Sequence, residues 1–255
     1  MPLFLSCRAA IVAKTTATAA SLQTDAGRRL ELRTLANGYL TIAEDLLEPP
    51  LPRLIAVGGL SGSGKTTLAM DLAPSIGAAP GAVVIRSDEI RKRLCGVEPL
   101  DRLGPKGYTD EVSRRVYATL MDHADKIVRG GGSVIADAVF AGPSDRDAIQ
   151  HVAAAAGVPF TGLWLEAAPS LLMARVERRE PDASDADAAV VRQQMTRHVD
   201  PIQWSRLDAS GSRQHVADAA AAILNAQTPV GQVSGRSASR RHQSSSGSTP
   251  RVSST

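Results

Sequence analysis

The 255-residue chain predicts an α/β fold, a five-stranded parallel sheet with helices on both faces. Two observations predict it. Between Pro52 and Asn225, short apolar runs alternate with longer amphipathic stretches. The first run, "RLIAVG", leads into "GLSGSGKTT" (Gly59–Thr67), a glycine-rich turn that passes straight into the helical pattern "TTLAMDLAPSI". With 43% hydrophobic residues the chain can bury one good-sized core, so one domain with appendages is expected.

Taken in order, residues 1–51 read as a helical extension. "GRRLELRTLANGYLTIAEDLL" sets Leu32, Leu35, Ala36, Tyr39, Leu40 and Ala43 at helical spacing. "EPPLP" then stops the helix and makes a stiff, extended joint. In the domain spanning 52–225, strands are expected at 54–57, 82–86, 133–136, 160–165 and 207–209. Helices are expected between them, at 65–76, 88–94, 109–129, 143–156, 169–179, 185–197 and 212–225. Residues 226–255 are rich in Ser, Gly and Arg and nearly devoid of apolar side chains. Such a tail cannot offset its ordering entropy and is expected to be disordered, with nucleic-acid contact or serine modification as alternatives.

Charge and cysteine usage exclude several classes. The formal charge is +3, but the tail holds four arginines and no acid, so the body is slightly negative. Cys7 and Cys95 are far apart and not in metal-ligand spacing, and the five histidines are scattered. That argues against a disulfide scaffold or zinc site and for a cytoplasmic protein. No run approaches the roughly 20 apolar residues of a membrane span. Arg8 and Lys14 interrupt the opening segment where a secretory signal needs an apolar core.

Gly59, Leu60, Ser61, Gly62, Ser63, Gly64, Lys65 and Thr66 complete the pattern G-x-x-x-x-G-K-[ST], with Thr67 following. Glycines let the loop wrap a phosphate chain with its N–H groups inward, and the helix start adds more N–H groups and its dipole. Lys65 is expected on the outer phosphates of a nucleoside triphosphate and the Thr66 hydroxyl on Mg²⁺. A bare glycine turn is the alternative; the strand before and the helix after favour the phosphate cradle.

The receiver of the phosphate is less local. None of the five lysines follows an asparagine, so the Asn-Lys-x-Asp guanine reader is absent. "VVIRSDE" only approximates the strand acid of a hydrolysing machine, and "SVIADAVF" has Ala138 after Asp137 where a water-activating Glu would stand. "IRSDEIRKRL" instead sets Asp88 at the carboxyl end of the second strand, with Arg91 three residues on. A carboxylate there can take or orient a hydroxyl proton while an arginine holds an anionic part of the acceptor. Asp88 also suits a helix N-cap. "ARVERREPDASDADAAVVRQQ" holds Arg175, Arg178 and Arg179, then a restart with Ser184 and Asp187 as a capping box. This describes either a mobile lid closing on phosphates or a solvated basic face.

The segments "GGLSGSGKTT", "RSDEIRKRL", "VIADAVF" and "RVERREPDASDAD" carry a resemblance covering about Pro52 to Asn225. The chain resembles the predicted P-loop kinases that include gluconate and shikimate kinase relatives, zeta toxins and the phage polynucleotide kinase 5′-kinase domain. The resemblance implies the P-loop NTPase fold with strand order 2-3-1-4-5. It implies Asp88 as catalytic base, Asp137 as the third-strand acid beside the substrate, and Arg175 and Arg179 as lid arginines. In one subfamily this kinase follows an aminoglycoside-phosphotransferase-like domain, whose last helices resemble residues 1–51. That domain's ATP site and catalytic loop are missing here, so its antibiotic-phosphorylating activity is not carried over. A helical extension packing on the kinase is the alternative.

The sequence therefore predicts a kinase that uses ATP and Mg²⁺ to phosphorylate a hydroxyl of a small molecule. A 5′-hydroxyl polynucleotide kinase ranks second, because aromatics are only 3% and no basic channel with stacking residues is visible. A third reading is an ATP-binding regulator without transfer activity.

Overall fold

The computed structural model describes residues 2–178, 184, 192, 194 and 201–227. Two helices, α1 (Pro2–Ser21) and α2 (Ala26–Asp45), precede the sheet. The alternating body follows as β1 (Leu54–Gly59), α3 (Lys65–Leu72), β2 (Val83–Arg86), α4 (Ser87–Cys95) and α5 (Asp110–Arg129). It continues with β3 (Val134–Asp137), α6 (Pro143–Ala156), β4 (Phe160–Glu166), α7 (Pro169–Glu177), β5 (Ser205–Asp208) and α8 (Arg213–Ala226). All strand pairs are parallel and the order is β2-β3-β1-β4-β5, as expected.

β1 is central because it is apolar on both faces. Leu54 and Ala56 point into one core with Val116, Leu120 and Ile149 of α5 and α6; Ile55 and Val57 point into the other with Leu68, Leu72 and Ala220 of α3 and α8. The parallel register then fixes the site. Val57 lies opposite Asp137, and Asp137 opposite Arg86, so the carboxyl ends of β1, β2 and β3 meet at one edge.

Several boundaries differ from expectation, each for a local reason. β1 runs two residues further because Gly58 and Gly59 pair with Trp164 and Leu165 and the Gly59 N–H reaches Val139 O at 3.2 Å. The helix expected over 65–76 gives way after Leu72 to a 3₁₀ turn over Ala73–Ser75, where Pro74 cannot continue α-helical bonding. β5 sits at 205–208 rather than 207–209. The tail was expected from residue 226, but α8 extends through Ala226, and Thr161 Oγ1 donates to Gln227 Oε1 at 2.6 Å. Of the helix expected at 185–197 only Arg192 and Gln194 are among the described residues, both helical, and the rest of the tail lies outside them.

In the N-terminal pair, the Ser6 hydroxyl donates to Ala43 O at 2.7 Å, and Asp25 caps α2 through the Arg28 N–H. Small residues make the contact: Ala9, Ala13 and Ala20 with Ala36 and Ala43 are buried. Their size lets the helices approach closely. The expected apolar stripe is therefore only partly buried, with Leu35 and Leu40 exposed. Among the described residues no helix is long and apolar enough to cross a membrane.

Trp204 closes the sheet against Gly162. A Cβ on Gly162 would lie 2.3 Å from Trp204 Cγ. Gly162→Ala should therefore lower stability by about 1–3 kcal/mol, the usual cost of overpacking. Urea unfolding measures it, and an unchanged midpoint would contradict this packing.

Candidate active site

The loop after β1 is shaped by glycines that nothing else can replace. Gly62 has φ +83°, and a Cβ there would come within 2.6 Å of Leu172 O. Gly64 caps α3 in the left-handed region, and no side chain caps that helix start, in contrast to Asp25, Thr109 and Ser212 on α2, α5 and α8. The first N–H groups of α3 are thus left for a ligand, the arrangement an anion needs. Ser63 Oγ is buried in the loop with no hydrogen-bond partner among the described residues. Lys65 Nζ folds back on its own loop, donating to Leu60 O at 3.0 Å.

Thr66 Oγ1 donates to Asp137 Oδ2 at 2.6 Å across 71 residues of sequence. Asp137 is buried, and burial pushes its carboxyl well above the usual range. Lys65, the Thr66 hydrogen bond and Arg86 pull the other way, while Asp88 adds to the rise. Arg86 Nε stands 3.6 Å from Asp137 Oδ2, and its NH1 reaches Glu89 Oε1 at 3.1 Å. Thr66 and Asp137 offer hard oxygen donors beside the phosphate loop, the chemistry Mg²⁺ takes. These residues fit that ion.

Asp88 is half-buried and lines the same cleft, of about 1260 Å³, as Lys65, Thr66 and Asp137. It is the second residue of α4, and Arg86 holds the cap position, so the N-cap reading of Asp88 does not hold. Arg91 also lines the cleft. Its NH1 donates to Gly107 O at 2.8 Å and to Ser113 Oγ at 3.3 Å, and its guanidinium lies 5.0 Å over the Tyr108 ring. Arg175 lines the cleft from α7; Arg179 lies outside the described residues. From the same stretch, Gln194 Oε1 accepts the Ser61 N–H at 2.9 Å.

Comparisons with known proteins give the family and the fold. Residues 54–201 match an AAA domain family, AAA_33. The chain belongs to this AAA domain family. An uncharacterized protein of Mycobacterium tuberculosis is 31% identical over 184 residues, covering 69% of this chain and 35% of that protein. The match thus spans about a third of the relative's length. An adenylyl-sulfate kinase of Myxococcus xanthus is 30% identical over 118 residues, 46% of this chain and 59% of that one. The structure of the Mycobacterium tuberculosis APS kinase in complex with AMPPNP and APS superposes with TM-score 0.50 at 23% identity, covering 69% of this chain and 99% of the other. This AAA domain thus has the fold of P-loop kinases.

Some lining residues of the AAA domain carried no sequence signal. Tyr117 sits mid-helix in α5. Its hydroxyl oxygen accepts the Phe140 N–H at 3.0 Å, and burial, with Asp145 nearby, pushes the phenol up. The half-buried Asp145 carboxyl is also pushed up, by burial, against a smaller pull from Arg146. At the opposite end, Ala209, Gly211 and Val216 line the cleft beside an ion pair in which Arg213 Nε donates to Asp71 Oδ2 at 2.7 Å.

Proposed function

We propose that this chain is a kinase that uses ATP and Mg²⁺ to phosphorylate a hydroxyl group of a small-molecule acceptor in the cytoplasm. The observation that carries the reading is one cleft holding an open phosphate loop, the Thr66–Asp137 pair and, facing them, Asp88. The base of ATP would lie at the Ala209–Gly211 end and the acceptor at the Asp88–Tyr117 end.

In this mechanism the loop N–H groups and Lys65 hold the β- and γ-phosphates in line with the acceptor. Thr66 and Asp137 would hold Mg²⁺, which supplies charge neutralisation on the phosphates. Asp88 accepts the acceptor's hydroxyl proton as its oxygen bonds to the γ-phosphorus. The bond from that phosphorus to the β–γ bridging oxygen breaks, and ADP leaves. Arg175 meets the charge on the transferring group from the α7 side.

An ATP-consumption screen against sugars, nucleosides, aminoglycosides, adenylyl sulfate and short 5′-hydroxyl oligonucleotides tests this. Turnover that depends on a small acceptor is expected. Turnover with oligonucleotides alone would favour a polynucleotide kinase, and tight ATP binding without turnover would favour a regulator.

The flanks should be separable from catalysis. α1 and α2 pack chiefly against each other, and the residues after Gln227 have the composition of a disordered tail. A 52–227 fragment should bind AMPPNP within about twofold of the full chain, since a loss of affinity beyond that implies a contact worth several tenths of a kcal/mol. Titration calorimetry checks it. A folded fragment that fails to bind would move the domain boundary.

A further inference from the structure

The segment between α4 and α5 brings Arg102, Leu103 and Tyr108 to the acceptor end of the cleft. It has almost no core of its own. None of residues 96–104 is buried, and Leu100 is 66% exposed. What holds it is a buried cation. Lys92, on the α4 turn after Asp88, is 1% exposed, the largest of the fully buried side chains among the described residues. Its Nζ donates to Pro99 O at 2.8 Å and to Asp101 O at 2.7 Å. The neighbouring Arg91 takes Gly107 O, so two successive side chains of α4 grip the segment at both ends. Local bonds tighten it: the Val97 N–H returns to Lys92 O at 3.0 Å and the Asp101 N–H to Glu98 O at 3.1 Å.

The chemistry explains why a lysine stands here. A tetrahedral ammonium offers three donors, enough for two carbonyls that converge from the same loop. An apolar side chain of equal length would fill the space and leave both carbonyls without that donor, so the loop would have to open to water.

We propose that Lys92 is a positioning residue for the phosphate acceptor: its grip on the Pro99 and Asp101 carbonyls sets where Arg102 and Leu103 stand in the cleft. The proposal rests on the kinase reading for what occupies that end. Lys92 itself does not line the cleft, and the phosphate loop belongs to β1 and α3, so the nucleotide half does not depend on it.

Lys92→Met in the full chain tests it by three readouts: amide hydrogen exchange, AMPPNP affinity, and acceptor KM and kcat. Loss of two hydrogen bonds should speed exchange across 96–108 by roughly tenfold or more, with β1 and α3 unchanged. AMPPNP affinity should stay within about twofold, and acceptor KM should rise about tenfold with a smaller change in kcat. If the methionine variant does not fold, Lys92→Gln, whose shorter side chain keeps a two-donor amide, carries the same readouts with smaller shifts. Unchanged exchange in 96–108 would overturn the proposal. So would faster exchange spread evenly over the sheet, or an acceptor KM equal to wild type. A wild-type chain that turns over no acceptor, with the loop still loosened in the variant, would defeat the kinase reading and leave the grip on the loop standing.

Discussion

Lys65→Ala should abolish phosphoryl transfer while the chain stays folded. The hydrogen bond from Nζ to Leu60 O lies within the phosphate loop itself, so removing it takes no support from the sheet. What is lost is a positive charge where the transferring phosphoryl group gathers negative charge. Removing one such preorganised donor costs about 10²–10³ in rate, and more where it also anchors the ground state. A second consequence falls on Asp137. Lys65 is the largest of the influences holding that buried carboxyl down, so without it the Asp137 carboxyl rises further and is more readily protonated. Mg²⁺ needs the ionised form, so its apparent affinity should fall most at the acid end of the pH range. Transfer rate, and Mg²⁺ dependence at two pH values, check both. A variant with near wild-type transfer and normal nucleotide binding would sink the cradle assignment.

Asp88→Asn should leave nucleotide affinity almost unchanged and slow transfer by roughly 10²–10⁴, the usual worth of a positioned general base. In the proposed mechanism the γ-phosphate would be held by Lys65 and the loop N–H groups, which belong to α3 and the turn before it rather than to α4, and the amide keeps the size of the carboxylate. Arg175→Ala should also slow transfer, for another reason: it removes stabilisation of the phosphoryl charge rather than a proton acceptor. The two differ in pH behaviour. Removing a base flattens the acidic limb of the kcat profile; removing an arginine lowers the profile without moving it. If Asp88→Asn transfers as fast as wild type, Asp88 is not the base.

The phosphate loop was legible because all its parts are contiguous, and strand order followed from the family resemblance its motifs carry. The rest of the site is assembled by register. Nothing in "SVIADAVF" or "GKTT" says that Asp137 bonds Thr66; that follows only once β1 and β3 lie parallel with Val57 opposite Asp137. Tyr117 and Asp145 sit in helices where an aromatic and a first-turn acid have ordinary structural uses, so neither stood out. Lys92 was hidden in a different way. In "IRKRL" it stands between two arginines with no pattern to single it out, yet α4 turns it inward, and its partners are main-chain carbonyls, which no side-chain pattern reveals. The same limit applies to Arg213 and Asp71, which meet across 142 residues.

The most direct measurement is the fate of labelled γ-phosphate in the full chain with Mg²⁺, ATP and an acceptor from the screen. A kinase forms ADP and phosphorylated acceptor one for one, and both slow together, by roughly 10²–10⁴, in Asp88→Asn. Label released as inorganic phosphate at the same rate with or without acceptor, and unaffected by Asp88→Asn, would contradict it.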